Sequence, residues 1–261
     1  MNGRMSPESI IEGIRTQGPL VHAITNYVAM DLSANALLAI GASPAMIHAE
    51  EEAAEFAPLA SALTINIGTL SGPWVRAMEA AADAARARGR PVVLDPVGAG
   101  ATGYRRRVAL GLLGKSDLVR GNASEIRALV EEGAAGKGVD ATDDAQSALS
   151  LAQTMAKSRG LVVAMTGEVD IVTDGARGAR VRGGHPWLTR VTATGCALSA
   201  VVAAACTVGP AYEASLAALA LFKDSGERAA SRSQGPGSFR VAFLDALAES
   251  PSELSGRIET I

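Results

Sequence analysis

Aromatic residues make up only 3% of the 261 residues, although 48% of the chain is hydrophobic. A core of this composition is built mainly from Ala, Val, Leu and Ile on buried strands and closely packed helices, as in layered α/β proteins. No apolar run approaches the roughly eighteen residues expected of a membrane-spanning helix. Residues 1–17 are polar and helix-like, and they lack the apolar centre of a signal peptide. We therefore expect no membrane segment and no secretory leader.

The chain has only two cysteines, and its net charge is small. Cys196 and Cys206 are ten residues apart in a predicted helix, which separates them by roughly 15 Å along its axis. A disulfide needs Cα atoms within roughly 7 Å, so both thiols should be free, as in a cytoplasmic protein. The net charge is −3, with basic residues spread along the chain. We expect neither nucleic acid nor an anionic membrane as a partner.

Short β-rich runs alternate with helical stretches along the chain. Strands are predicted over 20–24, 62–66, 91–95, 117–120 and 161–165, with a hairpin of 169–173 and 179–182. Helices are predicted over 27–40, 73–88, 122–130, 142–159, 195–208, 211–230 and 238–249, and the glycine-rich segment 133–140 is predicted to be a surface loop. This alternation indicates an α/β fold with a mostly parallel sheet and helices on both faces. No repeat or linker divides the chain, so we expect a single domain over 1–261.

Ligands of such sheets bind at the carboxyl ends of the strands. The strongest local signal there is Val191-Thr-Ala-Thr-Gly-Cys196, which opens an Ala-rich helix. Small residues before a helix let several backbone N–H groups converge where the helix dipole is positive, which favours an anion. Such an anion hole suits phosphoryl transfer. The alternative is a plain tight turn into a buried helix.

Two further motifs contain carboxylates. Asp95 ends the predicted strand 91–95, where it could hold a metal ion or cap a turn. Asn122 and Glu125 are three residues apart at a helix start, a spacing that also fits a capping box without any ligand.

A glycine motif suggests a different class of enzyme. Gly98-Ala-Gly-Ala-Thr-Gly103 follows a strand with the spacing of a dinucleotide-binding loop, and Asp117 could be the ribose-binding acid of an NAD-dependent dehydrogenase. However, Asp95 and Pro96 delay the first glycine beyond the strand-to-helix turn, and Asp117 begins its strand rather than ending one. The adjacent Arg105–Arg107 segment is interpreted as a solvated face. No Walker A sequence is present.

Seven motifs, in order along the chain, together closely resemble hydroxyethylthiazole kinases. They are Thr25-Asn-Tyr27, Ala42-Ser-Pro-Ala-Met46, Asn66-Ile-Gly-Thr69, Asp95-Pro-Val-Gly-Ala-Gly100, Arg120-Gly-Asn-Ala-Ser-Glu125, Thr166-Gly-Glu-Val-Asp170 and Thr194-Gly-Cys196. The resemblance implies a three-layer ribokinase-like fold and ATP- and Mg²⁺-dependent phosphorylation of the primary alcohol of 4-methyl-5-(2-hydroxyethyl)thiazole, in thiamine salvage. It also implies a homotrimer with active sites between subunits. A hydroxymethylpyrimidine or pyridoxal-type kinase is the alternative within this fold, and a non-catalytic nucleotide-binding module is another.

The resemblance also assigns roles to individual residues. Those expected near the thiazole alcohol are Asn26, Met46, Gly68 and Ala193. Those expected at ATP and its phosphates are Arg120, Thr166, Thr194 and Gly195. Asp95 and Glu125 are expected to organise Mg²⁺, and Cys196 is the candidate base. The family usually has Gly where this chain has Ala193, and most ribokinase-like kinases have Asp where it has Cys196.

Overall fold

The computed structural model describes residues 5–130, 145–251 and 253–261. The strands are β1 (Leu20–Ile24), β2 (Ser43–Ala45), β3 (Ala62–Asn66), β4 (Val92–Asp95), β5 (Leu118–Asn122), β6 (Val162–Thr166), β7 (Asp170–Thr173), β8 (Gly178–Val181) and β9 (Ile258–Thr260). The α-helices are α1 (Pro7–Gln17), α2 (Met30–Ala39), α3 (Glu50–Phe56), α4 (Gly72–Ala87), α5 (Gly103–Leu113), α6 (Ala123–Val130), α7 (Ala145–Arg159), α8 (Thr194–Ala205), α9 (Ala211–Ser231) and α10 (Pro236–Ala248).

All nine strands in the described part of the chain form one sheet, in the order β2-β1-β3-β4-β5-β6-β7-β8-β9. The first six are parallel, whereas β7, β8 and β9 pair antiparallel at the far edge. The register places Asn66 beside Asp95, and Asn122 beside Thr166. The carboxyl ends of the parallel strands therefore bring polar residues from distant parts of the sequence to one edge of the sheet.

Helices cover both faces of this sheet. On one face, the strand residues Val93 and Leu118 pack in a core with α1, α2, α8, α9 and α10. On the other, their neighbours Leu94 and Val119 pack mainly with α4, α5, α6 and α7. Because successive strand residues point to opposite faces, each buried apolar strand supplies both cores. The predicted three-layer α/β architecture with a mostly parallel sheet is confirmed.

Several element boundaries differ from the sequence expectation. The helix predicted from Tyr27 begins at Met30. The reason is a turn at residues 26–29, in which Asn26 Oδ1 accepts hydrogen bonds from the backbone N–H groups of Val28 and Ala29. The elements that were not predicted are β2, α3, α5 and β9. The predicted loop 133–140 and the predicted helix start at 142 lie outside the described residues.

Two expectations from composition can be compared with the described residues. No helix among them is long and apolar enough to cross a bilayer. Cys196 lies in the first turn of α8 and Cys206 directly follows its last residue, and both are free thiols as predicted.

Candidate active site

Four polar side chains lie on the sheet face that α8 covers, at the carboxyl ends of neighbouring strands. Alternation along β3, β4, β5 and β6 turns Asn66, Asp95, Arg120 and Thr166 to the same face as the core residues Ala62, Val93, Leu118 and Val162. Asn66, Asp95 and Thr166 are the last residues of their strands, and Arg120 lies two residues before the end of β5. This pattern builds the site.

Asp95 is the centre of the site and is fully buried. Its Oδ2 accepts hydrogen bonds from Asn66 Nδ2 (2.7 Å) and Ser199 Oγ (2.9 Å), and Arg120 Nη1 lies 3.3 Å away. Its Oδ1 has no hydrogen-bond partner among the described residues. One carboxylate oxygen is thus held by the protein, while the other can accept a bond from a ligand or a cation.

The amide of Asn66 links Asp95 to the end of β1. Asn66 Oδ1 accepts from Asn26 Nδ2 (2.8 Å) and from the backbone N–H of Gly68 (2.9 Å). Because this oxygen takes two donors, the amide nitrogen must face the Asp95 carboxylate. Asn26 Nδ2 also lies 3.4 Å from Cys196 Sγ. The predicted residues Asn26, Gly68, Asp95 and Cys196 are therefore brought together through Asn66.

Gly68 allows this close packing. A Cβ at this position would lie 2.6 Å from Asn26 Nδ2, so a larger residue would displace the Asn26 amide. Arg105, predicted to lie on a solvated face, instead donates to the carbonyl oxygens of Ile67 and Gly68, each at 2.7 Å. The expectation of a solvated side chain was wrong for Arg105, which binds carbonyls of the turn after β3, whereas Arg107 is exposed as expected.

Met46 lies farther out, directly after the edge strand β2. It is half-buried, and its carbonyl oxygen is 3.0 Å from His48 Nδ1. The His48 ring stacks on Trp74 and its Nε2 accepts from the backbone N–H of Thr25 (3.1 Å). The chain at Met46 is thereby tied to the end of β1, next to Asn26, whereas Met46 itself lies outside the hydrogen-bonded group that surrounds Asp95 in the described residues.

Arg120 joins the acid to the start of α8. Its Nη2 donates to Thr166 Oγ1 (3.0 Å), while Nη1 reaches Asp95. A Cβ on Gly195 would lie 2.8 Å from Arg120 Nη2, so the guanidinium rests directly on this glycine. The predicted nucleotide residues Arg120, Thr166 and Gly195 are thus in one contact group.

Ala193 precedes α8 in a left-handed conformation, with φ 68° and ψ 4°. Among the described residues it is the only non-glycine with positive φ. The first amides of α8, from Thr194 onward, lack intrahelical acceptors, as at any helix start. The left-handed conformation explains why glycine is the easier residue at position 193.

A cavity of about 460 Å³ opens beside this group. Its polar lining includes Arg120, Asn122, Thr166, Asp170, Lys223 and Thr194, and its apolar lining includes Leu188, Val191, Leu198 and Phe222. A volume of this size, apolar at the walls with a few convergent polar groups, is typical of a small-molecule site. Lys223 was not found from the sequence, although a lysine in the Ala- and Leu-rich stretch of α9 was a usable signal.

Glu125 forms the capping box that was considered as an alternative to metal binding. Its Oε2 accepts from the backbone N–H of Asn122 (2.8 Å), and Asn122 Oδ1 accepts from the Glu125 amide (2.9 Å). Glu125 Oε1 also accepts from the Gly98 amide (3.0 Å). The glycine segment is therefore bound to a carboxylate of its own chain and its helix starts only at Gly103, which argues against a dinucleotide cradle.

Burial shapes the charges of the site. It raises the pKa of Asp95 to about 6, with Glu125 adding to the rise and Arg120 opposing it. Burial also raises the pKa of Cys196 to about 11, with the Asp95 charge adding and the Asn26 amide opposing. The Cys196 side chain is thus a neutral thiol at pH 7, which makes it a weak general base.

The donor set at this site fits Mg²⁺. No group of three or more His, Cys, Asp or Glu side chains placed to bind a metal occurs in the described parts of the chain. Mg²⁺ commonly binds through one or two carboxylates, with water and substrate phosphates completing its shell. The free Oδ1 of Asp95 is a hard oxygen ligand of this kind, and Glu125 lies close enough to affect its pKa.

Comparison with known proteins gives a consistent result over nearly the whole chain. Residues 11–253 match the Hydroxyethylthiazole kinase family. A hydroxyethylthiazole kinase of Cereibacter sphaeroides is 55% identical over 246 residues, covering 94% of each chain. The structure of the hydroxyethylthiazole kinase from Pyrococcus horikoshii superposes with a TM-score of 0.91 at 41% identity and covers 98% of each chain.

More distant structures support the fold alone. A ribokinase-like superfamily protein from Enterococcus faecalis superposes with a TM-score of 0.64 at 13% identity, covering 96% of this chain and 92% of the other. The expected ribokinase-like fold is confirmed by these similarities.

The left-handed conformation of Ala193 can be tested by measuring the stability of variants. Replacing it with glycine removes the steric conflict of a left-handed alanine, so Ala193→Gly should raise the free energy of unfolding by about 1 kcal/mol. The matched control is Ala84→Gly within α4, where glycine should lower stability by about 1 kcal/mol. Urea unfolding of both variants checks the signs. A loss of stability in Ala193→Gly comparable to that of Ala84→Gly would contradict the assigned conformation.

Proposed function

The chain belongs to the hydroxyethylthiazole kinase family, and on that basis we propose that it transfers the γ-phosphoryl group of ATP to the primary alcohol of 4-methyl-5-(2-hydroxyethyl)thiazole. The observation that supports this most is that Arg120, which contacts Asp95, lines the 460 Å³ cavity together with the start of α8. Phosphoryl transfer depends mainly on positioning and charge stabilisation, and this arrangement offers both.

The nucleotide occupies the cavity in this proposal. Leu188, Leu198 and Phe222 offer apolar surface to the adenosine part, whereas Arg120 and Thr166 lie at the polar end for the phosphates. Arg120 is buried, so its charge acts in a medium that screens it poorly. The amides at Thr194 and Gly195 stabilise the charge on the transferred group.

The alcohol lies on the opposite side of Asp95, toward β1 and β2. Asn26 and Gly68 form the floor there, Met46 forms the outer wall, and Ala193 limits the space beside the hydroxyl group. Asn26 Nδ2 contacts Cys196 Sγ at 3.4 Å, which sets the direction of the thiol. The hydroxyl group would approach the start of α8 between Cys196 and the transferred phosphoryl group.

Mg²⁺ is the proposed metal cofactor, held by Asp95 Oδ1 with Glu125 acting directly or through water. When bound, it neutralises charge on the phosphates. The protein prepares this ligand by saturating Asp95 Oδ2 with donors from Asn66, Ser199 and Arg120. The free oxygen therefore has a fixed direction.

The wider setting follows from the same family membership. We propose a single kinase domain over residues 1–261 that acts in the cytoplasm, in thiamine salvage. The sheet includes every strand in the described residues, and both cysteines are free, which suits a reducing compartment.

An ADP-release assay tests the function. With ATP and Mg²⁺, the thiazole alcohol should give a higher kcat/KM than hydroxymethylpyrimidine or pyridoxal, and excess chelator should abolish turnover. Asp95→Asn should lower kcat by on the order of a hundredfold or more, since the metal loses its charged ligand. The control Asp83→Asn, which removes only a surface pair with Lys115, should leave turnover unchanged. Preference for another alcohol, or activity without metal, would refute the assignment.

Cys196 should assist the reaction only weakly, because its raised pKa keeps the thiol protonated at pH 7. We expect Cys196→Ala to retain activity reduced by on the order of tenfold to a thousandfold. Cys196→Asp should be tolerated, because a carboxylate is the better base at neutral pH. Cys206→Ala is the matched control and should behave as the parent. Complete loss in Cys196→Ala, with a phosphocysteine trapped in the parent, would show a covalent mechanism instead.

A homotrimer with sites between subunits is the proposed assembly. Two large apolar side chains, Tyr27 (66%) and Val28 (58%), are exposed directly after β1, the strand next to the edge strand β2. Light scattering should give about three times the chain mass of 26.6 kDa. Val28→Glu should dissociate the assembly and weaken alcohol binding, whereas Tyr104→Glu on α5 should do neither. A parental mass of one chain with full activity would contradict a shared site.

A further inference from the structure

One wall of the cavity is the turn between β6 and β7, and Lys223 of α9 holds it. Lys223 is buried, and its Nζ lies 3.2 Å from the Gly167 carbonyl oxygen, 3.0 Å from that of Glu168 and 3.3 Å from Asp170 Oδ1. Asp170 Oδ1 in turn accepts from the Gly167 amide at 2.9 Å. An ammonium group has three protons, and all three have acceptors in this turn. Lys223 therefore fixes the wall rather than offering a free donor to a phosphate.

A second wall of the cavity belongs to the segment 185–193, which leads into α8, and the same helix holds it. The backbone N–H of Gly184 donates to Glu227 Oε1 at 2.8 Å, and Arg257 Nη2 donates to Glu227 Oε2 at 2.8 Å. Gly183 and Gly184 have φ of 104° and 91°, so this reversal depends on glycine. Glu227 thus anchors the base of the segment that contributes Leu188 and Ala193 to the cavity.

Gly226 provides a third contact between α9 and this wall. A Cβ at position 226 would lie 2.8 Å from Leu188 Cδ1 and 3.1 Å from Leu188 Cγ. Leu188 therefore packs directly on the helix backbone, and any larger residue would move it. Lys223, Gly226 and Glu227 follow the i, i+3, i+4 spacing that places residues on one helix face.

We propose that α9 is a positioning element that fixes both walls of the cavity and thereby sets its affinity for a nucleotide, through Lys223, Gly226 and Glu227. This rests on the proposed function in one respect, namely that the cavity is the nucleotide site. The three residues act through Gly167, Gly184 and Leu188. Asp95, Asn66 and Cys196 have no part in these contacts, so their arrangement on the alcohol side stays intact when the contacts of Lys223, Gly226 and Glu227 are disturbed.

Gly226→Ala is the sharpest test, because one methyl group displaces Leu188 without removing a charge. Calorimetry should show ADP binding weakened by about tenfold, the size of effect that one overpacked contact produces. In the kinase assay the KM for ATP should rise similarly, whereas kcat and the KM for the alcohol stay within about threefold. Gly237→Ala is the matched control, because a Cβ there would meet nothing within 4 Å, and it should leave every constant unchanged.

Lys223 is tested by substitutions that keep or remove its charge. Lys223→Met alone strands the Asp170 carboxylate and threatens folding, so it is paired with Asp170→Asn. The double variant should weaken ADP binding by about tenfold or more, given the strength of charge-assisted bonds. Lys223→Arg, which keeps the positive charge, should retain most of the parental affinity for ADP.

Unchanged ADP affinity in Gly226→Ala, or equal losses in kcat and in alcohol binding, would overturn the positioning role. A parental protein that binds ADP yet phosphorylates none of the three alcohols would overturn the proposed function alone. The ADP affinities of the variants would still decide the role of α9 in that case.

Discussion

The carboxylate of Asp95 is buried beyond the reach of solvent, and the site is organised around stabilising it. A buried charge is costly unless it is paired and hydrogen-bonded. Here the compensation comes from Asn66 on β3, Arg120 on β5 and Ser199 on α8, all directed at Oδ2. Three elements that are distant in sequence must therefore be in place before the charge is tolerated, which ties the site to the central sheet and to the helix that covers it.

Two halves of the site meet at Asp95, one on the β1 side and one on the β6 side. On the β1 side, Asn66 connects Asp95 by hydrogen bonds to Asn26 and Gly68. Asn26 in turn contacts Cys196. On the β6 side, Arg120 connects Asp95 to Thr166 and to the first turn of α8. In the proposed reaction these halves receive the alcohol and the nucleotide. Farther out, α9 determines where the nucleotide walls stand.

The sequence predicted the parallel strands and long helices well, because their apolar runs and alternation are strong signals. It missed β2 and β9, which have only three residues each and little apolar pattern, and it missed α5, whose start at Gly103 resembles a loop. Asp95 was found because it ends a strand pattern, whereas the role of Arg120 came from the resemblance to the kinase family. The roles of Ser199 and Lys223 depend on partners that only the folded sheet brings near. The cap formed by Glu125 was anticipated from its spacing to Asn122, whereas its bond to Gly98 was not.

A double-mutant cycle between Asn66 and Ser199 tests the central claim most directly, since both side chains donate to the same oxygen of Asp95. The free energy of unfolding would be measured for Asn66→Ala, Ser199→Ala and the double variant at pH 8, where the Asp95 carboxyl, with its pKa raised to about 6, is ionised. The account predicts a coupling energy above about 0.5 kcal/mol, because each donor compensates for loss of the other at one shared charge. Effects that add within about 0.3 kcal/mol would show that the two donors act independently, and would contradict a site organised around one buried carboxylate.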